Sequence, residues 1–280
     1  MNTTKTTMHE ISLPLDERNF AHVFSALALA GIADEKTPCE ASLCWWTEDA
    51  FCLRLPKPQE DLFNDAHQFL KTLKWTEGIG CDEKRKIKAS PHHGFFSADG
   101  GHCGNPLVSY HDQGMTSSVF KTFSGQKGPA DILEKQKNAL VEPANAEPNW
   151  ISQRARGVAS WKFDARTGGH AYSQGFSAND DGSGDQSPFY PAIELLSIAG
   201  AAFFFAPQAW LEDENSLRYF AWRTELLLQL APLAAAGLLD GVAGTRYRLS
   251  RSRNTYGKGE AYRHFPEATP LQTPQRRLIS

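Results

Sequence analysis

Apolar and polar positions along the chain mark out its elements. "LPLDERNFAHVFSALALAGIADE" sets Phe20, Val23, Phe24, Leu27 and Ala30 at helical spacing, with Asp16 as the expected N-cap and Gly31 near the end. "ASLCWW" (41–46) and "AFCLRL" (50–55) are rich in strand formers and flank Thr47, Glu48 and Asp49, which predicts a hairpin closed by Pro56 and Pro58. "EDLFNDAHQFLKTLKW" (60–75) has the two-sided pattern of an amphipathic helix. Residues 78–116 lose this rhythm and read as a long Gly/His-rich loop broken by one short strand, "PLVSY".

Periodicity returns with a helix over 129–141, followed by a linker, "VEPANAEPN". "SWKFDA" (160–165) predicts a strand and "SANDDGSGDQS" (177–187) a loop. "SLRYFAW" (216–222) predicts a strand, "TELLLQLAPLAAAGLL" a helix kinked or stopped early at Pro232, and "TRYRLSR" (245–251) an alternating strand before a polar tail. Helices and strands mix without a regular βαβ rhythm, so the expected class is α+β with antiparallel strands. A ferredoxin-like (RAMP-type) element is one form this could take. The expected parts are 1–145, carrying the 78–116 loop, and 150–280, carrying the basic tail, unless the chain is one continuous domain.

The most apolar run, "PFYPAIELLSIAGAAFFFAP" (188–207), holds Glu194, Pro191 and Pro207 and predicts a buried helix rather than a membrane span. Five cysteines without framework spacing, and a start without a secretory pattern, predict a reduced, cytoplasmic protein. Hydrophobic content of 41% and charged content of 22% are those of a globular chain. The net charge of −3 gives no overall pull toward nucleic acid, but its distribution does. Residues 246–280 hold eight Lys/Arg against two Asp/Glu, so this stretch is +6 and the 245 residues before it sum to −9.

Four groupings could carry chemistry. "FKTFSGQKGPADIL" brings Lys121, Ser124, Gln126 and Lys127 to a glycine-bearing turn before a helix. Gly125 and Gly128 are too close for a nucleotide-hydrolysing loop, and no Ser or Thr follows Lys127. A helix start with two lysines does suit a phosphodiester backbone, and a plain strand-to-helix turn is the alternative. Cys81, His92, His93, His102, Cys103 and His111 are zinc-type ligands without zinc-motif spacing, so no metal or other cofactor is expected. No Gly-x-Ser-x-Gly is present, and Asp164, His170, Asp180 and Asp181 form no motif, so no enzymatic role is expected. In "RYRLSRSRNTYGKGEAYRHF", Arg246, Arg248 and Ser250 share one strand face and Tyr247 and Leu249 the other. Arg251, Arg253, Lys258 and Arg263 continue the charge, with Tyr256, Tyr262 and His264 interleaved. Guanidinium groups bind phosphate and aromatic rings stack on bases; a solvated edge strand is the alternative.

Several stretches, in order, resemble subunits of CRISPR subtype I-G (formerly I-U) systems. "ISLPLDERNFAHVFSALALAGIAD" is similar to an opening of strand, Asn-Pro-Gly and helix, with Asn19-Phe20-Ala21 in place of the tripeptide. "FKTFSGQKGPADIL" resembles a Lys-Thr-Trp/Phe-Ala-Gly-Gln-Gln stretch, with Ser124 for Ala and Lys127 for Gln. "WKFDARTGGHAYSQGFSANDD" resembles a Phe-Asp-x-Arg … Gly-Phe-Ser-x-Asn-Asp stretch, which brings in Arg166 and Asn179. "YPAIELLSIAGAAFFFAP" resembles a Pro-Ala-x-Glu-Leu-Leu helix, with Ala201-Ala202 where the family has Leu-Gln. The resemblance spans about 11–207 and points to the short large-subunit-like component of the RNA-guided surveillance complex, Cascade. It implies a non-enzymatic subunit seated with other Cascade subunits on guide RNA (crRNA). Such a subunit would help recognise target DNA and its flanking motif and help recruit a helicase-nuclease. The rival readings are a backbone-type RAMP subunit gripping guide RNA only, and a metal-dependent enzyme built on the His/Cys-rich loop.

Overall fold

The computed structural model describes residues 7–77, 94–98, 107–108, 129–146, 149–155, 161, 163–166, 189–203, 216–250, 252–256, 260–264 and 267–271. The chain opens with β1 (His9–Leu13), whose Ile11 and Leu13 face inward. Helix α1 (Phe20–Lys36) follows, and Asn19 rather than Asp16 caps it: the Asn19 side-chain carbonyl accepts from Ala21 N at 3.2 Å. Asp16 instead accepts from Arg18 N at 2.9 Å and pairs with the Arg18 guanidinium, closing the turn ahead of the cap. The helix runs through Gly31, and every residue from Phe20 to Ala30 is buried. A helix apolar on all sides has no solvent face and must be central.

The expected hairpin is β2 (Leu43–Trp46) and β3 (Phe51–Leu55). β3 pairs antiparallel with both β1 and β2, so α1 crosses between strands that hold a third between them. That is the split arrangement found in ferredoxin-like units. Helix α2 (Gln59–Thr72) buries Leu62, Phe63, Ala66, Phe69 and Leu70. The next strand, β4 (Lys74–Glu77), does not return to β1; it pairs with β5 (Gly94–Ser97), which pairs with β6 (Leu107–Val108). Among its described residues the 78–116 stretch thus contributes two short strands where one was expected.

Helix α3 (Pro129–Ala139) starts at its proline, as a first-turn residue lacking an N–H allows. The strand expected over 160–165 does not form at the described positions. Phe163 N and Asp164 N instead donate to Glu194 Oε1, at 3.0 and 3.3 Å, so a buried carboxylate takes the place of a neighbouring strand.

Glu194 lies in α4 (Pro191–Phe203), the apolar helix, which packs along α1. Gly200 sets the approach: a Cβ there would stand 1.8 Å from Phe24 O. Two serines clasp the helices. Ser25 Oγ lies 3.2 Å from Ile193 O of α4, and Ser197 Oγ lies 2.9 Å from Ala21 O of α1, each also close to its own preceding-turn carbonyl. No helix among the described residues is long and apolar enough to cross a membrane.

β7 (Ser216–Trp222) forms as expected, but 224–239 is not one long helix. Leu226–Leu227 form β8, which adds to the edge of β2, giving the order β1-β3-β2-β8. A single 3-10 turn leads to α5 (Ala231–Ala235), with Pro232 in its first turn, where proline starts a helix rather than breaking one. β9 (Gly244–Ser250) pairs with β7. The tail is not featureless: β10 (Ser252–Tyr256) and β11 (Glu260–His264) form a two-stranded ribbon, and β12 (Thr269–Pro270) joins β9. Residues from Ile11 to Ala268 line one apolar core, so both expected parts share it. The class is α+β with antiparallel sheets.

Candidate nucleic-acid interface

The β7–β9 pair carries out the alternation read from "TRYRLSR". Tyr247 and Leu249 point into the core, and Tyr247 stacks on Tyr219 with ring centroids 5.5 Å apart. On the other side the register sets Arg248 directly opposite Arg218, and Arg246 opposite Phe220. Arg246 is exposed, while Arg218 and Arg248 are half-buried. Thr269 of β12 flanks Arg248 on the far side. Two glycines keep this surface tight. A Cβ on Gly244 would stand 2.2 Å from Ala221 O, and one on Gly237, whose φ is +61°, would stand 3.4 Å from Arg246 Nη2. The Arg246 side chain therefore reaches the Gly237 turn.

The register that places Arg218 opposite Arg248 is also held from the core side. Glu17, nearly buried in the turn before α1, does this. Its Oε1 accepts from Tyr247 OH at 2.5 Å, its backbone carbonyl accepts from Tyr219 OH at 2.9 Å, and its carboxylate is held in a two-pronged pair by Arg223. Arg223 also donates to Thr47 O at 2.7 Å, tying the same node to the β2–β3 turn. Burial, then the Glu17 carboxylate, pushes the Tyr247 hydroxyl above its ordinary range, and burial does the same to Tyr219. Both phenols stay protonated and keep donating.

β10 begins one residue after β9 ends, and the ribbon register sets Arg253 opposite Arg263 and Asn254 opposite Tyr262. A second like-charged cross-strand pair thus follows the first along the chain. Arg251 and Lys258 lie outside the described residues, as do Asn179 and the turn residues Lys121, Ser124, Gln126 and Lys127.

Arg166 sits apart from this surface. Its Nε and Nη2 bind both oxygens of Asp164, at 3.0, 3.1 and 2.5 Å, and its guanidinium lies 3.7 Å over the Tyr190 ring. Asp164 is fully buried and also accepts from Asn19 Nδ2 at 2.8 Å, with His22 Nε2 3.6 Å away. Burial alone would raise this carboxyl; the interactions with His22 and Arg166 overcome it and hold the group well below the ordinary carboxylate range. The third stretch of the resemblance therefore ties the 163–166 turn to the start of α1, and this accounts for Arg166 structurally.

Among the described residues no group of three or more His, Cys, Asp and Glu is placed to hold a metal. The six His/Cys residues of the 78–116 loop lie outside the described residues. Cys44 is fully buried, and burial pushes its thiol far above the range of a nucleophile. No protein-family model, curated protein or solved structure matches this chain.

Sequence reading missed Arg218. The signal was present, since the alternation that sends Tyr219 and Ala221 inward sends Arg218 the other way. It also missed Glu17, Arg223 and Asn19, whose partners lie far along the chain.

Proposed function

We propose that the chain is a non-catalytic nucleic-acid-binding subunit of a type I CRISPR RNA-guided surveillance complex. It helps hold guide RNA and recognise target DNA with its flanking motif, alongside other Cascade subunits and a recruited helicase-nuclease. The observation that carries this reading is the Arg218–Arg248 cross-strand pair with Arg246 beside it, on a sheet whose register is fixed from behind by Glu17. Guanidinium groups gathered on one sheet face suit a polyanionic ligand, because arginine pairs with phosphate through two parallel hydrogen bonds. The ordered motif resemblance supplies the biological setting.

Affinity purification of the tagged protein from its native host tests this, with sequencing of bound nucleic acid and mass spectrometry of partners. Repeat-spacer RNA with Cascade-type partners is expected; a protein recovered without nucleic acid would overturn the reading.

One observation favours a second reading. The β1-β3-β2 order around a crossing helix is the arrangement on which RAMP-type guide-RNA subunits are built, although here β4 pairs elsewhere. Binding to duplex DNA in the absence of RNA separates the two, because a subunit gripping guide RNA only would not bind it.

A further inference from the structure

We propose that Arg154 and Arg166, gathered over the Tyr190 ring, form a site that binds one phosphate group without reading a base. That the phosphate belongs to a nucleic-acid strand rests on the functional reading above; the phosphate chemistry rests on the site alone.

Three separate segments build it. The 3-10 turn Trp150–Ser152 is capped by Asn149, whose side chain accepts from Ile151 N at 3.1 Å. Trp150 Nε1 pins the turn by donating to Val141 O at 2.9 Å. Just beyond it, Ala155 and Phe189 exchange backbone hydrogen bonds of 2.9 and 3.1 Å in an antiparallel bridge. Antiparallel pairing sets the residue before one partner opposite the residue after the other, so Arg154 meets Tyr190. The Arg154 guanidinium lies 5.8 Å from the Tyr190 ring centroid. Arg166 reaches the same ring from the 163–166 turn, at 3.7 Å.

Different restraints hold the two arginines. Arg166 gives Nε and Nη2 to Asp164, which fixes the plane of its guanidinium and leaves Nη1 without a bond among the described residues. The Arg166 side chain is 38% exposed while Asp164 behind it is fully buried, so solvent meets the guanidinium and not the carboxylate. Glu194, the other acid beside this turn, is buried as well. Arg154 is exposed and pairs with no carboxylate among the described residues.

An anion is the ligand that two such groups take, and their donors select among anions. One guanidinium fork already saturates a planar carboxylate, whereas a phosphate has oxygens left for a second fork. Tyr190 is only 5% exposed, so no ring face remains on which a base could stack. The site therefore meets a strand at its phosphate and is indifferent to sequence. It shares no residue with the β7–β9 surface.

The test uses the full chain with two kinds of probe. Fluorescence-anisotropy titrations across a salt series use two single-stranded RNAs, one of uridine only and one of mixed sequence. Thermal melts at constant ionic strength use inorganic phosphate. The variants are R154A, R154E and R154K, because Arg154 holds no buried charge, whereas removing Arg166 would strand Asp164 in the core. R154A is expected to lose about threefold to tenfold in affinity for both RNAs alike, with a salt slope shallower by about 0.7. R154E loses more. R154K keeps the slope but not the affinity, since lysine retains the charge without the fork. Phosphate is expected to raise the melting temperature of the unaltered chain, and R154E to abolish the rise.

Variants that bind RNA and respond to phosphate like the unaltered chain, while R246A/R248A weakens RNA binding, overturn this site and leave the nucleic-acid reading standing. A loss confined to one RNA sequence overturns it too, since a base would then be read. An unaltered chain that ignores RNA, yet is raised by phosphate through Arg154, removes the nucleic-acid reading and leaves the site as one for free phosphate. A chain that responds to neither probe removes both.

Discussion

Arg218 of β7 lies directly across from Arg248 of β9, and the two strands stay in that register because Tyr219 and Tyr247, one position along, are both anchored to Glu17. The sheet thus has a basic outer side and an inner side that fixes its register. Hydrogen bonds to a buried carboxylate are each worth about 1.5–3 kcal/mol, so the Tyr247–Glu17 contact is a strong hold on the register.

Removing the arginines tests what the outer side is for. R246A/R248A should weaken binding to single-stranded RNA and to DNA and flatten the dependence of log affinity on log salt by about two units, one for each lost phosphate contact. An unchanged slope in the anisotropy titration would discard the basic face as the ligand surface.

The inner side predicts a graded stability series. Tyr247→Phe removes a hydrogen bond to a buried carboxylate and should cost about 2 kcal/mol; Tyr219→Phe removes one to a backbone carbonyl and should cost about 1 kcal/mol. Urea unfolding followed by tryptophan fluorescence reads both. Equal, negligible losses would mean that Glu17 does not hold the register.

Gly200 should admit no side chain. In Gly200→Ala the added carbon meets the Phe24 carbonyl, which is backbone and cannot swing aside, so α1 and α4 must separate along their whole contact. A loss of about 3 kcal/mol or more is expected in chemical denaturation. A variant as stable as the parent would show that the helices do not approach so closely.

Two buried groups make stability depend on pH in separate windows. Burial, opposed only by Glu142 with Nδ1 3.3 Å from its Oε2, holds the His67 imidazole below its ordinary value of 6.5, with Lys71 adding to the effect. The unfolded chain then takes up the proton first, so this contribution is complete above pH 6.5 and is lost as pH falls below it. Asp164 is depressed from 3.8, so its contribution is complete above that value and is lost only in stronger acid. Melting temperatures of His67→Phe and Asp164→Asn across pH 7 to 3 should remove the first and second declines respectively. Parallel curves for parent and variants would assign acid sensitivity elsewhere.

Much of the fold was legible because it depends on side chains close together in sequence. The hairpin of β2 and β3, helices α2 and α3, the apolar helix α4 and strands β7 and β9 all follow from local period. The errors share one cause. "SWKFDA" has strand composition, yet its backbone N–H groups go to Glu194, a partner thirty residues away. Leu226–Leu227 look helical with their neighbours but are claimed by the open edge of β2. Asp16 and Asn19 are equally good caps in sequence. Asn19 prevails because its amide also reaches Asp164.

By itself, the sequence determined which residues alternate, where the helices lie, and that positive charge gathers after residue 245, because these are properties of spacing and composition. Only the tertiary structure decided that Arg218 joins Arg248, that Arg253 faces Arg263, and that Arg166 is committed to a buried aspartate. Those relationships depend on strand register and on carboxylates brought from distant parts of the chain, and register is set by the packing of the whole core rather than by any one segment.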